Sequence, residues 1–527
     1  MEEREKFLIN IKPRDYQKAI LEKCIEKNCL VVLPTGVGKT LIALMLTIAR
    51  MQKFPLEKVL LLAPTRPLAE QHYNYFKNHL PELFAQMELF TGKIEAEKRK
   101  KLWEKADIIF STPQCISNDI KKRIYSLENV SLLVEDEAHR CVKNYSYTYV
   151  AKKYSEQASN IRILGLTASP GADKKTIKTI CENLFIEEVE IRTRESKDVK
   201  EYLQELEFKE IKVEFPEKFK AIKSLLNNIY TKKIDELKSR NLLFGPANKV
   251  TLLEAQSRIM RAISTGNKNG NLFAGASACS TAIKVGHAME LIETQTLYGL
   301  DNYFQNQIDQ ANKNQSRAVK NLVSNPDFNR AYIMVKELLA ENLEHPKLLE
   351  LKDLIGNKIK ENPKAKIIVF SQYRDSVSKI SKELNSLPNV SAKVFVGQAK
   401  KQSEKNKLGI GLSQKEQQQI IQQFSMGEFN VLCATSIGEE GLDIPEVNAV
   451  IFYEPVPSAI RKIQRAGRTA RLMPGELIVL VTKGTRDEAY YWSAIHKEKR
   501  MHKAISDIKE DMENEKINFD EKQKKLF

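Results

Sequence analysis

Short apolar runs alternate with amphipathic stretches along most of the chain. In the first third they fall at residues 29–33, 59–63, 108–111, 132–134 and 163–166 and are rich in Val, Ile and Leu. Runs this short and apolar, separated by helical patterns, predict strands buried on both faces of a parallel sheet with helical crossovers. A second series of the same kind occupies 367–370, 394–396, 431–434, 450–453 and 477–481. Between the two, from about 196 to 345, the period changes: Phe219, Ile222, Leu226 and Ile229 recur three or four apart, as do Ala288, Leu291 and Ile292. That spacing lays an apolar stripe along a helix and predicts helices packed on one another. The clear breaker there is the polar, glycine-containing stretch 264–277, expected as a mobile loop. The expected fold is α/β, with parallel-sheet domains at 1–195 and 346–505, a helical insertion at 196–345, and a charged tail at 506–527.

The length agrees, because 527 residues exceed a single core at roughly 100–200 residues per domain. Lys and Arg number 84 against 68 Asp and Glu, a net charge of +16 that favours a polyanionic partner. The excess is +7 over residues 1–194, +2 over 195–345 and +7 over 346–527. Two basic outer segments around a near-neutral middle suggest two lobes facing one anionic ligand, not a basic tail. No apolar run approaches the roughly 20 residues of a membrane span, and the charged start Met1-Glu2-Glu3-Arg4 lacks a signal-peptide core. The seven cysteines are scattered without C-x-x-C spacing. They read as reduced thiols of a cytoplasmic protein, not as disulfides or a zinc site.

Leu33-Pro34-Thr35-Gly36-Val37-Gly38-Lys39-Thr40 follows the first predicted strand and opens a helical pattern. Binding a phosphate chain takes converging backbone N–H groups on a glycine-permissive turn, a lysine for the outer phosphates and a hydroxyl for Mg²⁺. Strict phosphate-loop spacing would put Gly where Leu33 stands. Leu132-Leu133-Val134-Glu135-Asp136-Glu137-Ala138-His139 is a second candidate. A carboxylate at a strand end can hold Mg²⁺ through water, and a neighbouring one can orient and deprotonate an attacking water. Alone, such a pair would more often be a solvated loop; about a hundred residues after a phosphate loop it points to nucleotide hydrolysis. In the second α/β domain, Gln464-Arg465-Ala466-Gly467-Arg468-Thr469-Ala470-Arg471 carries arginines that suit a developing γ-phosphoryl charge. A salt-bridged surface is the alternative for such a cluster. With lysine and arginines on different domains, hydrolysis would depend on domain closure.

Together these pieces resemble a superfamily 2 helicase, over nearly the whole chain. The resemblance implies two RecA-like motor domains with ATP and Mg²⁺ as cofactors. Lys39, Asp136, Glu137, Gln464, Arg468 and Arg471 would be catalytic, Thr40 and Asp136 would hold Mg²⁺, and residues 34–40 (Pro34, Thr35, Gly36, Val37, Gly38, Lys39, Thr40) would cradle the phosphates. Arg14-Asp15-Tyr16-Gln17 looks like the adenine-reading Q motif, with Arg14 and Gln17 at the base; Gly441 and Asp443 would approach the nucleotide from the second lobe. Pro64, Thr65, Arg66, Thr91, Gly92, Thr112 and Pro113 look like the first lobe's strand-gripping motifs. Ser371, Gln372, Gly397, Thr435 and Ser436 look like the second lobe's. His139, Thr167 and Ser169 would couple hydrolysis to movement. The branch most resembled contains archaeal Hef, the Fanconi anaemia M helicase, and the Dicer and RIG-I-like helicases; Asp136-Glu137-Ala138-His139-Arg140 and Leu166-Thr167-Ala168-Ser169-Pro170-Gly171 carry that likeness. Within it, Gly484-Thr485-Arg486-Asp487-Glu488-Ala489-Tyr490-Tyr491-Trp492 is most similar to Hef.

Two positions depart from the branch. Glu135 stands where an apolar residue is usual and Ala470 where glycine is usual, which puts the reach of Arg471 in doubt. The nuclease core of full-length Hef, E-R-K followed by aspartate, is not found, so cutting of DNA is not expected. Lys98-Arg99-Lys100-Lys101 reads as a solvated helix face, with a phosphate contact near Thr91 and Gly92 as the alternative. The terminal Gln523-Lys524-Lys525-Leu526-Phe527 resembles the opening of a sliding-clamp-binding peptide, though a frayed tail is the plainer reading. The expectation is an ATP-dependent translocase on forked or branched DNA in replication-fork repair, moving 3′ to 5′. It would be cytoplasmic and nucleoid-associated in a prokaryote, with a separate nuclease and a clamp as further partners. An RNA-directed helicase of the same branch and a branch-binding scaffold with weak ATPase are the rivals.

Overall fold

The computed structural model describes residues 5–143, 145–171, 173–266, 269–313, 315–397, 411–435, 444–456 and 474–513. The first lobe is built on seven parallel strands: β1 (Cys29–Val32), β2 (Lys58–Leu62), β3 (Met87–Phe90), β4 (Ile108–Ser111), β5 (Val130–Asp136), β6 (Ile163–Thr167) and β7 (Glu188–Ile191), in the order β3-β4-β2-β5-β6-β1-β7. Its helices are α1 (Asp15–Glu26), α2 (Lys39–Lys53), α3 (Arg66–His79), α4 (Ala96–Lys105), α5 (Pro113–Lys121), α6 (Ser146–Gln157), α7 (Lys174–Asn183) and α8 (Lys197–Lys200). Side chains alternate across each strand, so both sheet faces carry a core. Leu133 joins Tyr147, Val150 and Ile177 on one face, and Leu132 and Val134 join Ile42 and Ile48 on the other.

The second lobe holds β8 (Leu206–Val213), α15 (Pro346–Glu361), β9 (Ile367–Phe370), α16 (Arg374–Leu384), β10 (Ala392–Phe395), α17 (Gln414–Met426), β11 (Val431–Ala434), β12 (Ala449–Phe452) and β13 (Gly475–Thr482). Its parallel sheet runs β10-β11-β9-β12-β13-β8. Between the lobes α9 (Glu217–Ser239), α10 (Lys249–Ser264), α11 (Gly270–Thr294), α12 (Leu297–Asn312), α13 (Arg317–Val323) and α14 (Pro326–Ala340) form a helical bundle. The predicted stripe is its core: Phe219, Ile222, Leu226 and Ile229 pack with Ala288, Leu291 and Ile292.

Three expected boundaries move. Residues 206–213 lie inside the segment expected to be a helical insertion, yet β8 pairs with β13 from Leu206↔Gly475 to Val213↔Thr482 and completes the second sheet. The bundle therefore starts at α9. The expected loop 264–277 is mostly helix, because Asn269 caps α11 by accepting the Asn271 N–H. Gly275 inside α11 is a packing glycine, since a Cβ there would lie 2.0 Å from Leu242 Cδ1. Finally, α18 (Arg486–Glu513) runs through the expected boundary at 505. It starts on the bundle and the second lobe and ends on the first, with Met501, Ala504, Ile505 and Ile508 buried in the first-lobe core. Lys174–Asp511 at 2.5 Å and Lys509–Glu190 at 3.2 Å flank that contact. The expected tail thus begins as a docked helix.

Candidate active site

In a parallel sheet every strand delivers its following loop to the same edge, and β5, β6 and β1 are neighbours, in register Asp136↔Leu166 and Val32↔Thr167. The phosphate-loop candidate, the acidic pair and Thr167 are thereby brought together, as in other open α/β sheets. Leu33 N–H donates to Thr167 O at 3.1 Å and ties two of these loops.

Gly36 (φ 84°) and Gly38 (φ 81°) are left-handed, which the turn requires and which side chains disfavour. Gly38 has a second constraint, because a Cβ there would lie 2.3 Å from Gln17 Nε2. Gln17 clasps the loop: its Nε2 donates to Val37 O at 3.2 Å and Gly38 O at 3.3 Å, while its Oε1 accepts the Arg14 N–H at 2.8 Å. The Tyr16 hydroxyl donates to Val37 O at 2.5 Å. Arg14 sits at the start of α1, its guanidinium 3.3 Å from Tyr16 Oη and 4.8 Å from the Tyr202 ring centroid. Lys39 Nζ donates to Leu33 O at 3.1 Å and Pro34 O at 3.2 Å, so the ammonium lies across the mouth of its own loop.

Asp136 ends β5 in a buried position. His72 Nε2, from α3, lies 2.8 Å from Asp136 Oδ2, and the Tyr147 hydroxyl donates to Asp136 O at 2.6 Å. Burial pushes the Asp136 carboxyl up. The attraction and hydrogen bond of His72, with Lys39 and the Glu137 N–H, outweigh that and hold it below its ordinary value. Glu137 follows in a left-handed conformation (φ 52°). His139 Nδ1 lies 3.2 Å from Glu137 Oε2 and 3.2 Å from Thr167 Oγ1, and Thr167 Oγ1 accepts the Ser169 N–H at 3.2 Å. The expected water-activating residue and the expected coupling residues thus form one chain of contacts. Thr40 at the head of α2 and ionised Asp136 offer the hydroxyl and carboxylate oxygens that Mg²⁺ prefers. Among the described residues no three His, Cys, Asp or Glu gather into a metal cage; Mg²⁺ at phosphates needs none, since it keeps waters and phosphate oxygens. The residues fit a Mg²⁺ nucleotide.

The expected strand contacts also share an edge. Pro64 is buried, Thr65 and Thr112 occupy the N-cap positions of α3 and α5 without side-chain capping bonds, Pro113 lies in the first turn of α5, and Thr91 and Gly92 follow β3. Thr65 Oγ1 and Arg66 Nε are buried atoms with no hydrogen-bond partner among the described residues. Arg99 is corrected: it is neither solvated nor a phosphate contact. Its guanidinium is buried and bidentate on Asp119 at 2.6 and 2.5 Å, and it also holds Ile94 O. In the second lobe Ser371 is fully buried, with Oγ donating to Gln295 Oε1 at 3.1 Å. Gln372 N–H donates to Glu454 Oε1 at 2.5 Å, Gly397 O accepts from Arg374 at 3.0 Å, and Thr435 is buried. Ser436, Gly441, Asp443, Gln464, Arg468, Ala470, Arg471 and the segment Gln523 to Phe527 lie outside the described residues.

Sequence reasoning missed His72, Tyr16 and Tyr147. His72 had a signal, standing with Ala69 and Phe76 on the buried stripe of α3. All seven cysteines are free and buried, as core residues. Among the described residues no helix is long and apolar enough to cross a membrane.

Comparison with known proteins adds three family matches: a DEAD/DEAH box helicase domain over residues 14–177, a helicase conserved C-terminal domain over 346–473, and the helical bundle of ATP-dependent RNA helicases over 218–344. The crystal structure of the Pyrococcus furiosus Hef helicase domain is 43% identical, with a TM-score of 0.69, covering 92% of this chain and 98% of that one. A Methanocaldococcus jannaschii protein named as an ATP-dependent RNA helicase is 39% identical over 94% of this chain and 61% of its own length. The ATP-dependent DNA helicase mph1 of Neurospora crassa is 32% identical over 92% of this chain and 42% of its own. The chain therefore spans about half the length of these two relatives.

Proposed function

The chain belongs to the Hef, Mph1 and Fanconi anaemia M family of helicases, and on that premise we propose that it is an ATP-driven translocase acting on forked or branched DNA. The observation that carries the reading is the contact chain Glu137–His139–Thr167–Ser169 beside the phosphate loop. It joins a base for the attacking water to the strand that feeds the next loop.

Lys39 and the N-terminus of α2 take the phosphates, and Lys39 leaves its bonds to Leu33 O and Pro34 O to do so. Thr40 and Asp136 hold Mg²⁺, which when bound neutralises charge on the outer phosphates. Glu137 accepts the proton of the water that attacks, with His139 beside its carboxylate and in contact with Thr167. Gln17 exchanges its bond to Gly38 O for the adenine edge, so base occupancy is reported to the loop. Arg468 and Arg471 complete the site from the second lobe on closure, and Gln464 senses that closure. Thr65, Arg66, Thr112 and Gly397 grip the phosphate backbone, which gives little sequence preference. Movement 3′ to 5′, work in replication-fork repair, a nucleoid setting and clamp binding through Gln523 to Phe527 belong to the same proposal. The family and the DNA helicase name of the Neurospora relative support DNA.

The RNA reading has its own support in the bundle match and the name of the M. jannaschii relative. ATPase and strand-separation assays on single-stranded, forked and four-way DNA and on double-stranded RNA discriminate the two. Forked DNA is expected to stimulate most. Stimulation by RNA alone overturns the DNA reading, and stimulation by neither overturns both.

A further inference from the structure

Helix α3 joins three places. Its N-cap Thr65 and first residue Arg66 present buried polar atoms without partners at the edge proposed to grip the strand. Six residues on, about 9 Å along the axis at 1.5 Å per residue, His72 points inward to Asp136 Oδ2 at 2.8 Å. The opposite side of α3, with Glu70, Gln71 and Asn74, lines an open cavity of about 460 Å³ that Gln418 and Gln422 of α17 in the second lobe line from across it. His72 Nδ1 has no hydrogen-bond partner among the described residues. The ring is therefore tied to the helix on one side and to Asp136 on the other, with no third polar anchor. A packed helix shifts as a unit. Displacement of its N-terminus by a bound strand, or of its outer face by α17, is delivered to the Asp136 carboxylate.

We propose that His72 is a positioning residue that makes the Mg²⁺ grip of Asp136 depend on where α3 sits, and so makes hydrolysis depend on a bound strand and a closed cleft. This rests on the proposed function for the roles of Asp136 and of Thr65 and Arg66. His72 holds Oδ2 of Asp136 and so fixes the orientation in which the carboxylate would meet a hydrated Mg²⁺. Losing such an outer partner costs about tenfold or more in metal affinity or activity. Gln can place an amide N–H near the Nε2 position, so His72→Gln should restore what His72→Ala loses.

The test has two arms on the full chain. In the first, binding of a fluorescent ATP analogue is titrated with Mg²⁺ in the absence of nucleic acid. His72→Ala is expected to raise the half-saturating Mg²⁺ by about tenfold with Mg²⁺-free nucleotide binding unchanged and His72→Gln close to wild type. In the second arm, ATPase stimulation by forked DNA falls by about tenfold in His72→Ala and recovers in His72→Gln. Wild-type Mg²⁺ dependence and stimulation in His72→Ala overturn the proposal. Equal loss in both variants with a lowered melting temperature also overturns it, by showing a packing role. Failure of the wild type to respond to any nucleic acid would instead count against the proposed function, and the Mg²⁺ titration would still decide the role of His72.

Discussion

Replacing Glu135 by Leu is expected to stabilise the first lobe without changing its chemistry. Glu135 is the penultimate residue of β5, paired with Leu62 and Gly165, and is fully buried. Neither carboxyl oxygen has a hydrogen-bond partner among the described residues, and burial holds the acid well above its ordinary value of 4.5. The nearby Cys141 thiol, a weak donor, opposes that shift without overcoming it. A buried polar group without a partner costs about 1–3 kcal/mol, whereas an apolar group of similar shape there costs nothing comparable. Glu135→Leu should gain about 2 kcal/mol, or roughly 4–8 °C in the melting temperature of a lobe this size. The sign with pH follows from linkage. The unfolded chain releases the proton near 4.5 while the folded lobe keeps it, so wild-type stability is greatest below that pH and falls as pH rises towards the folded value. The Leu variant lacks that loss, and the gap in melting temperature between the two should widen from pH 5 to pH 8. A calorimetric series over that range decides. Equal or lower stability of Glu135→Leu at pH 8, or a gap that does not grow with pH, would refute the reasoning.

Two further outcomes follow from buried charge. Lys347 and Asp487 are both fully buried, 2.7 Å apart, with Lys347 Nζ also on Thr294 O at 2.7 Å; they fasten α15, α18 and the end of α11 together. Lys347→Met should cost about 3–5 kcal/mol in urea denaturation by stranding a carboxylate, and Lys347→Met with Asp487→Leu should recover most of it. A single-variant loss under about 1 kcal/mol contradicts this. Asp119→Ala should destabilise by about 3 kcal/mol by unpairing Arg99 but leave the salt dependence of DNA binding unaltered, since Arg99 releases no counterion. A shallower salt slope in that variant would return Arg99 to the nucleic-acid surface.

How much was legible depended on where each strand lay. All interior strands of both sheets answer to continuous apolar runs, because they are covered on two faces. The runs that went unread, β3, β7 and β8, are sheet edges. There one side meets solvent or a charged neighbour, and Glu207, Lys209 and Lys212 interrupt the apolar pattern of β8. The end of α18 was hidden similarly, its stripe Met501, Ala504, Ile505 and Ile508 lying among charged residues that suggested a tail. At the site, phosphate-loop and acidic residues were readable because their chemistry requires particular types at fixed spacing. His72 was not, since its partner lies 64 residues away and a histidine on an apolar stripe usually belongs to the core. Arg99 was misread because a run of basic residues in a helical pattern suggests a solvated face, whereas its guanidinium is buried on Asp119.

The central claim is that this site hydrolyses ATP with Glu137 as the base and in response to a bound strand. Steady-state ATPase of the wild type and Glu137→Gln, with and without forked DNA, beside a nucleotide-binding titration, tests it most directly. The account predicts stimulation of the wild type by the fork. It also predicts a fall in kcat of about 10²–10⁴ in Glu137→Gln, with nucleotide binding retained. Hydrolysis by Glu137→Gln within a few-fold of the wild-type rate would contradict it.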